Sequence, residues 1–207
     1  MGSFVKKLFG TGSTETSTGE GTVLEAKFEK EDQIVSALQM VGAGFETKGG
    51  CTLMLTESVE NGVDAIIKYN DKHRTKVKGK IKVSIDNEKK RIIIVDSGTG
   101  FIDVKHVCEK PFDSLKKDDS TQTGKFARGL QGFRAFCENL TYITKRMPED
   151  ISKNEKDVIP NNNAGSHTVQ IEFSDTSGKA KVKYVEDSLF SNYTKENHGT
   201  IAIYENW

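Results

Sequence analysis

The fold of this chain is decided by residues 57–65, which read Glu57-Ser58-Val59-Glu60-Asn61-Gly62-Val63-Asp64-Ala65. Because an α-helix repeats every 3.6 residues, the polar positions 57, 61 and 64 share one face. Roughly opposite lies an apolar stripe that we expect to pack on a sheet, formed by Leu55, Val59, Val63 and Ile66. The pattern predicts an amphipathic helix over about residues 52–70.

Two features of this helix lower its intrinsic stability. Glycine at position 62 costs about 1 kcal/mol relative to alanine in a helix interior, and Asn and Asp are poor interior helix residues. Taken alone, the stripe is explained more simply by a solvated helix face. As chemistry, Glu57 could take a proton from an attacking water. The side-chain oxygen of Asn61 could bind Mg²⁺, which prefers oxygen ligands and bridges to phosphates.

A second stretch, residues 96–100, reads Asp96-Ser97-Gly98-Thr99-Gly100 and follows the apolar run 91–95. The run predicts a buried strand that ends at Asp96, and the two glycines permit backbone angles and close approaches that other residues resist. An ionised Asp96 could accept a hydrogen bond from the exocyclic amine of adenine, which guanine lacks at that place. As a stand-alone feature, a simple Asp-Ser-Gly turn explains the stretch.

A third stretch, residues 124–133, contains Gly124, Gly129 and Gly132 together with Lys125, Arg128 and Gln131. Backbone N–H groups at a glycine turn and helix start bind phosphate, and either Lys125 or Arg128 could neutralise its charge. The spacing matches neither a dinucleotide-binding fold nor a P-loop. In isolation, a helix-capping loop explains the stretch equally well.

The bulk properties narrow the function classes. Lys and Arg together number 30 of 207 residues, as do Asp and Glu, so the formal net charge is zero and an obligate electrostatic grip on nucleic acid is not supported. The basic run at 74–82 is explained more simply as a solvated strand edge. Three widely spaced cysteines predict reduced thiols in a cytoplasmic protein. No segment reaches the roughly 18 apolar residues of a membrane span, so no membrane partner is expected.

The order of elements predicts an α/β domain over residues 23–207, preceded by a flexible tail at 1–22 that is rich in Gly, Ser, Thr and Glu. Helices are expected over 31–40, 52–70 and 128–139, and residues 103–123 are expected to be irregular. Strands are expected over 81–85, 92–95, 140–144, 167–173, 179–185 and 200–204, with a hairpin turn at 86–88. Early helices and late adjacent strands suggest a two-layer sandwich with helices on one sheet face.

The ordered set of stretches resembles the GHKL ATPase superfamily, which includes gyrase-type topoisomerases, heat-shock ATPase chaperones, MutL-type repair proteins and sensor histidine kinases. Its motif Glu-x-x-x-Asn-x-x-Asp-Ala is similar to Glu57, Asn61, Asp64 and Ala65, and its Asp-x-Gly-x-Gly motif to Asp96, Gly98 and Gly100. The glycine-rich lid is similar to residues 124–133, and Gly199-Thr200 to the start of the last motif strand. The resemblance implies the Bergerat fold, a two-layer α/β sandwich whose mixed sheet is mostly antiparallel.

The resemblance also implies a role for each matching residue. Glu57 would be the general base, Asn61 the Mg²⁺ ligand, Asp64 a brace of the site, and Asp96 the residue that reads adenine. Gly98 and Gly100 would line the adenine pocket, and Thr200 would support it. The phosphates of ATP would be held by the lid, namely Lys125, Gly129, Leu130, Gln131, Gly132 and Phe133. Gly62 departs from the family, which often has Ala or Ser there, and so does Arg134, where a small residue is common.

Three functions remain open at this stage. The first is an Mg²⁺-dependent ATPase whose lid closure drives conformational change or homodimerisation of a larger assembly. Its turnover is expected to be slow without a lysine supplied by a downstream transducer domain or partner subunit. The second is a histidine-kinase-like phosphotransferase, although the first histidine, His73, follows the main helix. The third is a non-hydrolysing nucleotide-binding interaction module. Fold analogy does not choose the biological client.

Overall fold

The protein is an α/β fold built on one antiparallel sheet. The computed structural model describes residues 16–18, 21–25, 50–109, 132–134, 136–151, 166–174 and 178–207. Within these residues eight strands form a single sheet in the order β1-β2-β7-β6-β5-β8-β4-β3. Every pair of neighbouring strands is antiparallel.

The elements follow one another along the chain with short connections where the structure describes them. The strands are β1 Thr16–Thr18, β2 Gly21–Glu25, β3 Ile81–Asp86, β4 Arg91–Asp96, β5 Asn139–Lys145, β6 Thr168–Ser174, β7 Lys179–Val185 and β8 Gly199–Glu205. The helices are α1 Gly50–Lys72, α2 Val104–Glu109 and α3 Asp187–Ser191, with a 3₁₀ turn at Pro148–Asp150.

The two faces of the sheet carry separate apolar clusters. Helix α1 covers one face, where Met54 and Val104 pack with inward residues of the central strands such as Ile92, Leu140 and Tyr204. The short helix α3 covers the other face through Phe190, which packs with alternate residues of the same strands: Val95, Ile143, Ile201 and Ile203. Since strand side chains alternate between faces, strands β4, β5 and β8 supply both clusters. This explains why their sequences are nearly continuous apolar runs.

Most of the predicted elements are confirmed. Helix α1 covers the predicted 52–70, and strands β3 to β8 each lie within one residue or two of the predicted ranges. A turn follows Asp86, as expected, where its carboxylate accepts a hydrogen bond from the backbone N–H of Lys89 at 3.1 Å. The predicted helix over residues 31–40 lies outside the described residues.

Several predictions are wrong in detail. Residues 16–18 and 21–22, assigned to a flexible tail, belong to strands β1 and β2, which a Gly- and Thr-rich composition conceals. The predicted helix over 128–139 does not hold in its described part, where a 3₁₀ turn at 132–134 leads to a strand that begins at Asn139. Helix α2 occupies 104–109, within the stretch expected to be irregular.

Two features of the predicted sandwich also need correction. The helices are not confined to one sheet face, because α3 packs on the face opposite α1. The sheet is not mixed, because every described strand pair is antiparallel. In addition, Val63 of the apolar stripe is 43% exposed rather than packed on the sheet. No helix of the described part is long and apolar enough to cross a membrane.

Candidate functional site

Helix α1 lies directly over the carboxyl end of strand β4. A Cβ built on Gly62 would stand 3.2 Å from Cβ of Asp96 and 3.1 Å from Cδ1 of Ile81. These distances are tighter than most real Cβ contacts, so glycine allows the helix backbone to approach the strand end closely. The structure therefore brings the middle of the 57–65 motif against Asp96, and the unusual mid-helix glycine has a structural reason.

The turn that follows Asp96 packs tightly against the same helix. A Cβ on Gly98 would lie 2.4 Å from Cβ of Ala65 and 2.7 Å from its carbonyl carbon. The backbone N–H of Thr99 donates to the carbonyl of Ala65 at 3.3 Å. The small residues at 65 and 98 are thus two sides of one contact. This contact joins the Asp64-Ala65 motif to the Asp96 turn.

Strand β8 completes the floor beside Asp96. Asp96 and Thr200 are cross-strand partners. The Asp96 carboxylate accepts hydrogen bonds from the N–H of Gly98 at 2.8 Å and from both the N–H and the hydroxyl of Thr200. Gly199 has a φ of +132°, and a Cβ there would fall 2.0 Å from the Asp96 carbonyl oxygen. Only glycine fits this position, for both conformational and steric reasons.

The electrostatics of the site centre on Asp96. Burial raises the pKa of this carboxyl group from 3.8 to about 7, while its hydrogen bonds from Gly98 and Thr200 act in the opposite direction. Near neutral pH the group therefore exchanges between two roles. As a carboxylate it accepts a hydrogen bond from an amine, and as a carboxylic acid it can donate one. Perturbed carboxyl groups at a strand end are common at functional sites.

The polar stripe of α1 is graded in exposure. Asn61 is exposed, Glu57 is half-buried, and Asp64 is only 3% exposed. An exposed amide at 61 faces solvent, whereas a buried carboxyl group at 64 is suited to bracing the helix.

The exit of the Asp96 turn is anchored to strand β5. Gly100 has a φ of +71°, and a Cβ there would stand 2.6 Å from Oγ1 of Thr144. The same hydroxyl oxygen accepts a hydrogen bond from the N–H of Phe101 at 2.9 Å. Thr144 is in register with Thr200 of β8, so three neighbouring strand ends hold the turn. The sequence predicted the importance of Gly100 but gave no signal for Thr144.

An aromatic and ionic network, also missed by the sequence analysis, continues from the turn along α1. The His198 Nδ1 lies 2.8 Å from the carbonyl oxygen of Gly98, and its ring stacks on Tyr69 with centroids 4.0 Å apart. Tyr69 in turn contacts the His73 ring at 4.5 Å. His73 Nε2 lies 3.3 Å from the buried carboxylate of Asp150, which Lys72 also contacts. The only sequence signal was that His198 precedes Gly199-Thr200.

The predicted phosphate lid is described only at its end. Lys125, Gly129, Leu130 and Gln131 lie outside the described residues. Gly132 is buried, and the Phe133 ring is fully buried in the core, 6.4 Å from that of Phe173. The Phe133 side chain is therefore a packing element, which leaves only its backbone for a phosphate contact. Arg134, the departure from the family pattern, donates to the carbonyl of Ser174 at 2.5 Å.

The described residues were also considered as ligands for the expected Mg²⁺ ion. No group of three or more His, Cys, Asp or Glu side chains among them is arranged to hold a metal ion. Mg²⁺ does not need such a group, since it keeps several waters and is often bound by one or two protein oxygens together with substrate phosphates. The exposed amide oxygen of Asn61 is suited to that arrangement.

Comparisons with protein-family models and with curated proteins identify no relative of this chain. Residues 61–65, 96–100 and 198–200 converge where strand β4 ends and strand β8 begins.

Proposed function

We propose that this protein is an Mg²⁺-dependent, cytoplasmic ATP-binding and ATP-hydrolysing domain with a Bergerat-type fold. One observation carries the proposal: α1 is pressed onto the Asp96 turn through Gly62 and the Ala65–Gly98 contact. Asn61 precedes Gly62 and lies one helix turn before Ala65, the two residues that contact the Asp96 turn. A nucleotide that bonds Asp96 through its adenine would extend its phosphates along the polar stripe of α1.

Each chemical task in this proposal falls to a residue of the chain. Asp96, backed by Thr200, accepts a hydrogen bond from the adenine amine, and the glycines at 98 and 100 let the turn pack against Ala65 and Thr144 behind it. Asn61 would hold Mg²⁺ through its side-chain oxygen, and the ion would supply positive charge to the phosphates of the nucleotide. Glu57, one turn before Asn61, orients and deprotonates the attacking water. Lys125 and the backbone of residues 129–133 hold the phosphates.

The expected biological use is a conformational switch. ATP binding would close the lid at residues 124–133 over the nucleotide and promote pairing of two copies, with a downstream transducer domain or partner subunit completing the site. Such gating motions often limit turnover. We expect the chain to hydrolyse ATP slowly although it binds ATP well.

The proposal is tested by comparing Glu57→Ala with Glu60→Ala, a matched change on the same helix but off the polar stripe. Glu57→Ala should slow phosphate release about 10²- to 10⁴-fold, while the Kd for Mg-ATP, measured by calorimetry, changes less than threefold. Glu60→Ala should change neither quantity. Omission of Mg²⁺ should weaken ATP binding in both variants.

Two results would favour the other readings of the site. Unchanged phosphate release in Glu57→Ala, with ATP still bound, would indicate a non-hydrolysing nucleotide module. Transfer of labelled phosphate from ATP to a histidine of a partner protein, without free phosphate, would indicate a phosphotransferase. A wild-type chain that binds no adenine nucleotide at millimolar concentration would refute the proposal altogether.

A further inference from the structure

Large apolar side chains are concentrated on one exposed flank of the molecule. Of the six that are exposed in the described part of the chain, five lie on α1, on β3 or between them: Val63, Ile67, Val77, Val83 and Ile85. Their exposed fractions run from 37% to 60%. Single exposed apolar residues need no explanation, but a contiguous group of them marks an interaction surface.

The contacts of α1 show that these residues share one surface. Ile66 packs on Gly79, and the Asn70 side-chain amide donates to the carbonyl of Val77 at 3.1 Å, so this flank of the helix follows the chain into β3. Ile67 follows Ile66, about 100° further around the helix, and Val63, four residues before Ile67, shares its face.

Val83 and Ile85 point to the same sheet face as α1. They are cross-strand partners of Ile94 and Ile92, which belong to the core beneath that helix. Together Val63, Ile67, Val83 and Ile85 form what we call the edge groove, a shallow apolar surface between α1 and β3.

Strand β3 is an edge strand with backbone groups available for pairing. It is the last strand of the sheet formed by the described residues. The Lys80 carbonyl accepts a hydrogen bond from the N–H of Ser97 at 3.1 Å, so position 80 faces the neighbouring strand. Because pairing alternates in an antiparallel sheet, the backbone groups of Ile81, Val83 and Ile85 turn outward. An extended peptide could pair with them.

The opposite face of the same edge is basic. Lys82 shares that face with its partner Val95, and Lys80, Lys82 and Lys195 line a depression of about 440 Å³ between β3 and the loop after α3. Lys80 is ion-paired with Glu196 at 2.7 Å. Three lysines outnumber the two acidic residues of the lining, Glu196 and Asp96, so the depression carries a net positive charge.

We propose that β3 binds an extended acidic segment of a partner protein, which adds to the sheet as a ninth strand. Successive side chains of a strand point to opposite faces. A segment that alternates apolar and acidic residues would therefore cover the edge groove on one side and face Lys82 and Lys195 on the other. Backbone pairing supplies affinity and the alternation supplies specificity, as in other cases of strand addition.

Charge selects this occupant over a second copy of the chain. Pairing two β3 strands would bring Lys80 and Lys82 of one copy close to the same lysines of the other, and like charges across strands are destabilising. Edge lysines discourage self-pairing in this way. They do not oppose an acidic strand.

The test uses a designed fluorescent peptide of sequence Glu-Ile-Glu-Val-Glu-Ile-Glu and its charge-inverted counterpart, in which lysine replaces each glutamate. We expect the acidic peptide to bind the wild-type chain, with weaker binding at high salt, and the inverted peptide not to bind. Amide hydrogen exchange should slow at Ile81, Val83 and Ile85 when the acidic peptide is added. The readout is fluorescence anisotropy together with exchange at single residues.

Three variants sharpen the test. Lys82→Gln should weaken binding about three- to fivefold, whereas Lys89→Gln, which removes the same charge in the β3–β4 turn, should not. Val83→Pro removes an outward N–H and should weaken binding about tenfold. If that variant does not fold, Ile85→Ser, which removes an exposed apolar contact, tests the groove instead.

Several outcomes would overturn the proposal. These are equal binding of the two peptides, slowed exchange at strands other than β3, and absence of binding at millimolar peptide. Protection of β3 amides that rises with protein concentration, without any peptide, would show that a second copy is the occupant. None of these readouts requires ATP, so the result is independent of the proposed ATPase.

Discussion

The two flanks of helix α1 make contacts of very different kinds. On the flank of the Asp96 turn, Gly98 is approached only by Cβ and backbone atoms of Ala65, while Gly62 meets Cβ of Asp96 and the side chain of Ile81. On the edge flank, Gly79 is approached by the side chain of Ile66, and Val63 and Ile67 remain exposed. A contact between backbone atoms can relax only if a whole helix or turn moves, whereas a contact made by a side chain can relax by local movement. Helix α1 is therefore held more rigidly at the candidate site than at the sheet edge.

Gly98→Ala, on the flank of the Asp96 turn, is expected to have the largest effect on stability. The added methyl group would lie 2.4 Å from Cβ of Ala65 and 3.0 Å from its carbonyl oxygen. Neither atom can move without shifting the helix. We expect the free energy of unfolding, measured by urea denaturation, to fall by about 2–3 kcal/mol, and Mg-ATP binding to weaken with it.

Gly79→Ala is the matched change on the edge flank. Its methyl group would meet Cγ2 of Ile66 at 2.2 Å, a shorter distance than at Gly98. Ile66 is β-branched and has one preferred rotamer in a helix, but Gly79 lies in an exposed loop whose backbone can shift, so we expect a loss of about 1 kcal/mol. A loss equal to that of Gly98→Ala would show that the two flanks are equally rigid.

The second largest effect is expected from Asp96→Asn, in nucleotide binding. The amide oxygen can still accept from the N–H of Gly98, but an amide N–H₂ would then face the adenine amine, and two donors repel. We expect the Kd for Mg-ATP to rise at least about tenfold. In the wild type, ATP should also bind more weakly at pH 6 than at pH 8, since protonation removes the acceptor. Unchanged affinity would remove the assignment of the base pocket.

The same variant should have the opposite effect on stability. In the folded protein the pKa of Asp96 is about 7, above the ordinary value of 3.8 for this carboxyl group. Its stabilising contribution is therefore complete below pH 4 and is lost as the pH rises towards 7. Asn carries no such cost, so we expect Asp96→Asn to melt at a higher temperature than the wild type at pH 8. The difference should shrink as the pH is lowered towards 4.

A smaller effect is expected beneath α1, at a polar contact that joins the helix to the sheet. The Ser58 hydroxyl lies 2.7 Å from the Tyr204 hydroxyl, which also bonds Tyr142. Ser58→Ala should lower the free energy of unfolding by about 1 kcal/mol. Thr56→Ala is the control, because its hydroxyl bonds only the exposed carbonyl of Thr52. Equal losses would indicate that this buried contact adds nothing.

The smallest effect is expected on the edge flank. Val63 is 43% exposed, so Val63→Thr should change the free energy of unfolding by less than about 0.5 kcal/mol. The same change should weaken binding of the acidic peptide, because it removes apolar surface from the edge groove. A large loss of stability would show that Val63 is packed more tightly than its exposure indicates.

Much of the fold could be predicted from the sequence because helices and strands produce local sequence patterns. The 3.6-residue spacing of α1 and the apolar runs of β4, β5 and β8 identified those elements within a residue or two. The strands at 16–18 and 21–25 were missed because polar, Gly-rich segments become strands only when another strand supplies hydrogen bonds. Helix α3 was missed for a related reason, since five residues give too short a period to recognise.

The candidate site divides in the same way. The sequence by itself determined which residues have suitable chemistry, because a carboxylate, an amide and glycine-rich turns are properties of residue types in order. Only the tertiary structure decided that Gly62 approaches Asp96, that Gly98 fits against Ala65, and that Thr144 and His198 hold the turn. Contacts between residues far apart in the chain depend on helix placement and strand order. Those are settled by the packing of the whole core, and no local pattern records them.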